Sequence, residues 1–234
     1  VVKIVNALSG AAELGGPAVC AYLLGNPDHY TNELFKVFHW RSYVRQVRED
    51  TEEAGAVSDA AADRVMLGMS GGGVVPLSKI NDYKFRPRRF AEWTLYDFLR
   101  LTDVRRLSKK EIQSEAADPD QMDVDVANAE RFLTGHPLRA THGVYVKDEK
   151  QAYILNFVGG TPPRPDRGDR EEYCCAMLTL FHPGGWRVGH DMRPAGQTWT
   201  SVFERTRFES SHIQIMKNMN LLYECLDARD DYSA

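Results

Sequence analysis

The chain has 234 residues, of which 43% are hydrophobic, 10% aromatic and 26% charged. These globular proportions exclude a collagen-like, coiled-coil or wholly disordered protein, and no apolar run is long enough to span a bilayer. A net charge of −4, from 29 basic and 33 acidic side chains, by itself implies neither a nucleic acid nor a membrane as partner. The opening Val1-Val2-Lys3-Ile4-Val5 is too short for a signal peptide. With no initial Met, the chain reads as a piece of a longer one. Its four cysteines are too few for a disulfide scaffold, and with no C-x-x-C among them they lack the paired short spacings of a zinc site. They are expected to be reduced thiols in a reducing intracellular compartment.

In chain order, Gly16 to Pro27 reads as a short apolar helix, with Pro17 in its first turn and Gly25 as its cap. A second helix is predicted from Asn32 to Glu53, where Leu34, Val37, Trp40, Val44 and Val47 recur at helical spacing. Arg64–Leu67 and Gly73–Leu77 read as short strands around a Ser70-Gly71-Gly72 turn. Thr94 followed by Asp97 forms a capping box that opens a third helix.

Charge then segregates. From Lys84 to Lys110 there are nine Lys/Arg against three Asp/Glu, and from Glu111 to Glu130 seven acids and no base. The stretch 114–125 has almost no apolar side chain and reads as an exposed acidic linker. It divides the chain into an N-terminal helix/hairpin subdomain, 1–113, and a C-terminal hairpin/helix subdomain, 126–234.

The second half opens with a predicted hairpin, Thr141–Lys147 returning through Gln151–Val158. Gly159 to Gly168 must be a loop, because its Gly and Pro residues defeat both regular structures. Asp169 caps the next helix, with Glu172 reaching back to it, and His182-Pro183-Gly184-Gly185 ends it. A last helix is predicted from Ser211 to Asp227. The fold class is α+β, with several helices and two short hairpins.

Three catalytic patterns fail on their contexts. Gly68-Met69-Ser70-Gly71-Gly72 matches a nucleophile elbow, but that elbow needs a helix after the serine, and Gly73-Val74-Val75-Pro76 cannot be one. No phosphate-cradling P-loop occurs, so the apolar Leu221–Asp227 run has no nucleotide site to complete. His136 and His142 stand without ligand partners at helical spacing, so no metal is expected. No catalytic residue is assigned.

Basic residues give the only binding signal. Lys84, Arg86, Arg88 and Arg89 interleave with Tyr83, Phe85 and Phe90. Alternating cations and rings suit single-stranded nucleic acid, with phosphates on the cations and bases on the rings. The competing reading buries the rings and leaves the arginines solvated. Arg164, Arg167 and Arg170 alternate with Asp166 and Asp169 and read as an internally paired loop.

Several blocks carry a resemblance. Ala21 to Thr31, Met66 to Ser70, Thr94 to Phe98, Gly159 to Arg164, Asp166 to Glu171, Tyr173-Cys174, Met177 to Phe181 and Tyr223 to Tyr232 resemble Helitron-type transposon Rep/helicase proteins, in the family's order. In that family a nuclease precedes this region and a Pif-family ATP-dependent DNA helicase domain follows it. The resemblance therefore implies a connector that carries neither engine, in a nuclear DNA helicase. ATP and magnesium would belong to the parent chain, with no cofactor in this piece. Its partners would be those two domains and single-stranded DNA, with no membrane. The expected nucleic-acid-binding residues are Arg41, Arg45, Tyr83, Lys84, Arg86, Arg88, Arg89 and Phe90. The alternative is a structural or protein-interaction region of a decayed or domesticated element, without DNA binding.

Overall fold

The computed structural model describes residues 23–24, 32–51, 66–70, 73–108 and 129–231. The expected helix at 16–27, apart from Leu23 and Leu24, and the expected linker at 114–125 lie outside the described residues. The chain divides into two compact units, Val1–Leu34 and Phe35–Ala234. The second carries nearly all described elements, and its fold is α+β.

The predicted helix from Asn32 is a strand followed by a helix: β1 (Leu34–Phe38) and α1 (Trp40–Thr51). Phe35 and Val37 alternate with Lys36 and Phe38, and this period of two prevails over the helical spacing of Leu34 and Val37. In α1, Trp40, Tyr43, Val44 and Val47 are buried as one apolar stripe. β2 (Met66–Ser70) and β3 (Gly73–Leu77) form the expected antiparallel hairpin, closing on the pair Ser70–Gly73. Two short helices follow, α2 (Lys79–Lys84) and α3 (Leu95–Leu101). Ser78 caps the first, and Thr94 caps the second by accepting from Asp97 N.

The expected second hairpin does not pair with itself. β4 (Thr102–Arg106), β5 (Glu130–Arg131) and β6 (His142–Val146) form a three-stranded sheet in the order β4-β6-β5. Both edges of β6 are thus taken. A 3-10 turn at Glu149–Gln151 then carries the chain away to β7 (Tyr153–Phe157), which pairs with β1. Val158 N donates to Phe38 O at 2.9 Å, so the C-terminal ends of β1 and β7 lie side by side.

α4 (Arg170–Phe181) is the hub of the core. Every residue from Tyr173 to Phe181 is buried, as a helix covered on all sides must be. Asp169 caps it by accepting from Glu171 N rather than from Glu172. The Glu171 carboxylate points onward and accepts from Trp199 N at 2.7 Å and Thr200 N at 2.9 Å, serving the first turn of α5 (Trp199–Arg205). Burial would raise its pKa, but these bonds hold it below the usual glutamate range. α6 (Ser210–Asp231) closes the fold; His212, Met216 and Tyr223 are its buried anchors. Among the described residues no helix is long and apolar enough to cross a membrane.

One hydrophobic core joins Leu95 and Phe98 of α3 to Met177, Leu178 and Phe181 of α4, together with Trp186. Residues from both sides of 114–125 therefore build the same core.

Candidate nucleic-acid interface

The stretch 83–93 is the strongest sequence candidate, and its local chemistry explains where it goes. Pro87 cannot continue α2 and disfavours a helical Arg86. The chain turns through a single 3-10 turn, Arg88–Phe90, whose carbonyls are met by turn bonds such as Trp93 N to Phe90 O at 3.1 Å and have room for a further donor. The Arg86 side chain, 1% exposed, is that donor. Its Nε donates to Phe90 O at 2.7 Å, Nη1 to Tyr83 O at 3.0 Å and Trp186 O at 2.7 Å, and Nη2 to Ala91 O. Burial lowers its pKa from the usual arginine value, yet arginine keeps its charge in proteins. Arg187 extends the arrangement by donating to Lys84 O at 2.7 Å.

Tyr83 and Phe90 are also fully buried, each edge-on to Phe98. Burial pushes the Tyr83 hydroxyl up to about 12, and it donates to Trp93 O at 2.8 Å. Tyr83, Arg86 and Phe90 are therefore corrected from ligand-facing residues to core residues. No base can stack on rings packed against Trp186 and Trp93. The structure also fixes Gly185 here: its φ is +64°, and a Cβ would collide with Trp93 O, Arg86 Nη2 and the Tyr83 hydroxyl.

The other five candidates occupy three places. Lys84 is half-buried and pairs with Asp50 at 3.4 Å. Arg41 and Arg45 lie on α1, Arg41 exposed and Arg45 half-buried. Arg88 and Arg89 are exposed, and Arg89 reaches Glu130 of β5 at 3.3 Å.

That last contact leads to a surface that sequence reasoning missed. On the β4-β6-β5 sheet, Arg105 and Arg131 both pair in register with Gly143 and so share one face. Gly143 is small by necessity, since a Cβ would meet the Leu107 side chain at 2.9 Å and that of Ala129 at 3.1 Å. Arg106 pairs in register with His142. Arg139 packs beside β5, donating through Nε to Phe132 O at 3.0 Å and accepting from Arg131 at its carbonyl.

Arg105 and Arg131 thus share one face of this small sheet with Asp103, while Arg106 and Glu130, the contact of Arg89, fall on the other, so the arginines border the sheet on both faces. Arg105 holds Asp103 at 2.6 Å, and the Tyr153 hydroxyl donates to the same carboxylate at 2.9 Å. Burial would raise the Asp103 pKa, but these bonds, with Lys36 and Lys147 nearby, hold it below the usual range. Exposed pairs such as Arg89–Glu130 are weak enough to exchange for phosphates.

Arg105 and Arg106 fall inside the basic stretch counted in the sequence, but Arg131 and Arg139 lie beyond the acidic one. Only strand pairing brings the two sets together. Among the described residues no group of three or more His, Cys, Asp or Glu could hold a metal ion. No family model, no curated protein and no solved structure matches this chain.

Proposed function

We propose that this chain is a non-catalytic connector in a nuclear DNA-processing helicase of the Helitron type, where it handles single-stranded DNA and helps seat the motor. The supporting observation is the arginine cluster around β4-β6-β5, in which exposed Arg88, Arg89, Arg105 and Arg106 need only salt-exchangeable partners. The resemblance of the sequence blocks supplies the larger setting. Nuclease and helicase domains of the parent chain are its covalent partners, and ATP and magnesium serve the parent's motor. The net charge of −4 does not prevent binding, because charges beyond about 8 Å are screened at physiological salt.

Labelled oligo-dT titrated at two salt concentrations tests this. Replacing Arg88 and Arg89 by Ala should weaken binding and flatten the log–log salt slope by about 0.7 for each phosphate left without its arginine. Thermal stability should stay within about 0.5 kcal/mol, since both side chains are on the surface. Superimposable curves for wild type and double variant would sink the DNA reading.

A second reading, a protein-interaction region without DNA binding, draws on a different surface. The outward residues of β1 and β7 are apolar and exposed: Phe35 60%, Val37 51%, Ile154 43% and, just past β7, Val158 36%. Such faces commonly mark contacts with another protein. On this reading the wild type shows no salt-dependent binding to oligo-dT at all.

A further inference from the structure

Thr161 is the only Ser or Thr in the 234-residue sequence that directly precedes proline. It lies in the loop between β7 and α4, and its side chain is exposed while Pro162, Pro163 and Pro165 are half-buried. The loop is held at both flanks. Trp40 Nε1 donates to Gly160 O at 3.0 Å, and the Tyr223 hydroxyl donates to Pro162 O at 3.1 Å. Arg164 lies 5.5 Å from the Tyr223 ring centroid and forks onto Asp166 at 2.9 and 2.6 Å. Pro162 keeps Thr161 in the extended region and brings no N–H of its own. An exposed hydroxyl on an extended segment, followed by proline and with arginine three residues on, has the form of a proline-directed kinase substrate.

We propose that Thr161 is a phosphorylation site for a proline-directed Ser/Thr protein kinase, and that Arg41 receives the phosphate. Thr161 Oγ1 attacks the γ-phosphorus of ATP, forming the new O–P bond. The bond from that phosphorus to the β–γ bridging oxygen breaks, and ADP leaves with its electron pair. The hydroxyl proton passes to the catalytic-loop Asp of the kinase. The cation nearest along the chain is Arg41, whose guanidinium lies against the preceding residue: a Cβ on Gly160 would meet its Nη2 at 2.7 Å. Thr161 is the next residue, about 3.8 Å further along the backbone. A phosphothreonine carries roughly −1.5 to −2 charge, and a guanidinium is its strongest side-chain partner.

The consequence rests on the DNA reading above, with Arg41 among the cations the sequence offers to DNA: a phosphate on Arg41 takes that cation away from DNA. Pro162 and Pro165 also have the P-x-x-P spacing that suits an aromatic-lined Pro-rich-peptide receptor. Tyr223 already covers part of that proline surface, so the exposed hydroxyl is the better-placed feature.

The full chain, a purified proline-directed kinase and ATP are sufficient for the test. Intact mass and site mapping should give one phosphate on wild type and none on Thr161→Ala. A phosphorus NMR titration should place the second ionisation of the phosphate clearly below its free value of about 6, and Arg41→Gln should restore that value. Oligo-dT binding of the phosphoprotein should show a salt slope flatter by about 0.7 than that of the unmodified chain. No incorporation into wild type, while a control peptide is phosphorylated, overturns the site, as does capture by a Pro-rich-peptide receptor in its place. An ionisation that is the same in wild type and Arg41→Gln overturns the pairing. If the unmodified chain binds no oligo-dT, the DNA reading fails, and phosphate incorporation still decides the site.

Discussion

The Arg86 guanidinium lies 4.1 Å from the Tyr83 ring centroid, and both side chains are sealed from solvent. An alternation of basic and aromatic residues that suits a nucleic-acid surface here forms a cation–π contact inside the core. What decides between the two is the backbone. The Arg86 guanidinium donates to the carbonyls of Tyr83, Phe90, Ala91 and Trp186, of which Phe90 O also accepts from Trp93 N and Tyr83 O from Arg86 N, and a buried acceptor that loses its donor is costly. Arg88 and Arg89, two and three residues on, face solvent.

Replacing Arg86 by Ala should therefore destabilise the fold by roughly 3–5 kcal/mol, the range for removing a buried charged hydrogen-bonding group. Arg86→Lys should also forfeit most of that, because a point ammonium cannot span four carbonyls as the planar fork does. Urea denaturation followed by tryptophan fluorescence measures both, since Trp186 is part of the arrangement. A midpoint equal to wild type for Arg86→Ala would return this residue to the surface.

A second anchor depends on pH. His212 Nε2 lies 2.8 Å from Asp97 Oδ2, and Thr94 Oγ1 donates to the same oxygen at 2.7 Å. Burial would raise the Asp97 pKa, but the hydrogen bonds from His212 and Thr94 outweigh it and lower the value from 3.8. A depressed carboxylate pKa contributes stability above 3.8, and that contribution is lost as pH falls through the lower, folded value. Asp97→Asn should cost about 1–2 kcal/mol at neutral pH, where the charged acceptor is removed. The gap between variant and wild type should close as pH falls below 3.8, because protonation removes the same charge from the wild type. A gap that stays constant from neutral to acid pH would show that Asp97 acts by packing alone. Asp103 and Glu171, also depressed, keep their own share of acid sensitivity in the variant.

The features legible in the sequence are local ones. Thr94 and Asp169 cap the helices whose starts they mark, because a cap is decided within a few residues. The β2–β3 pairing and the last helix follow from equally local signals. The strands of the second half are visible as strands, but their partners are not. β6 pairs with β4, some forty residues upstream by numbering, instead of with β7 just after it. The placement of Arg86 is out of reach for the same reason, since one of its acceptors, Trp186 O, is 100 residues away. The arginine cluster needs the register itself, because Arg105 and Arg131 become neighbours only across Gly143.

That long-range pairing also governs what happens when the chain is cut between its halves. If 1–113 and 126–234 were independent subdomains, cleavage within 114–125 would release two separable pieces. The described residues on the two sides are instead joined by the β4–β6 ladder, with Thr102 to Arg106 opposite Val146 to His142. Arg86 donates to Trp186 O, and Arg187 donates to Lys84 O, across the same divide. Phe98 and Leu95 share a core with Met177 and Phe181, and each such large apolar side chain contributes about 1.5–3 kcal/mol on burial. A protease recognition sequence placed in 114–125 and cut to completion should therefore leave a nicked chain whose fragments co-elute on native gel filtration. They should separate only in denaturant. Its unfolding midpoint should fall modestly, because a cut chain gives up the entropic advantage of its connection while its core stays intact. Fragments that part in native buffer, each with its own cooperative unfolding transition, would establish two self-sufficient subdomains and refute the single-core account.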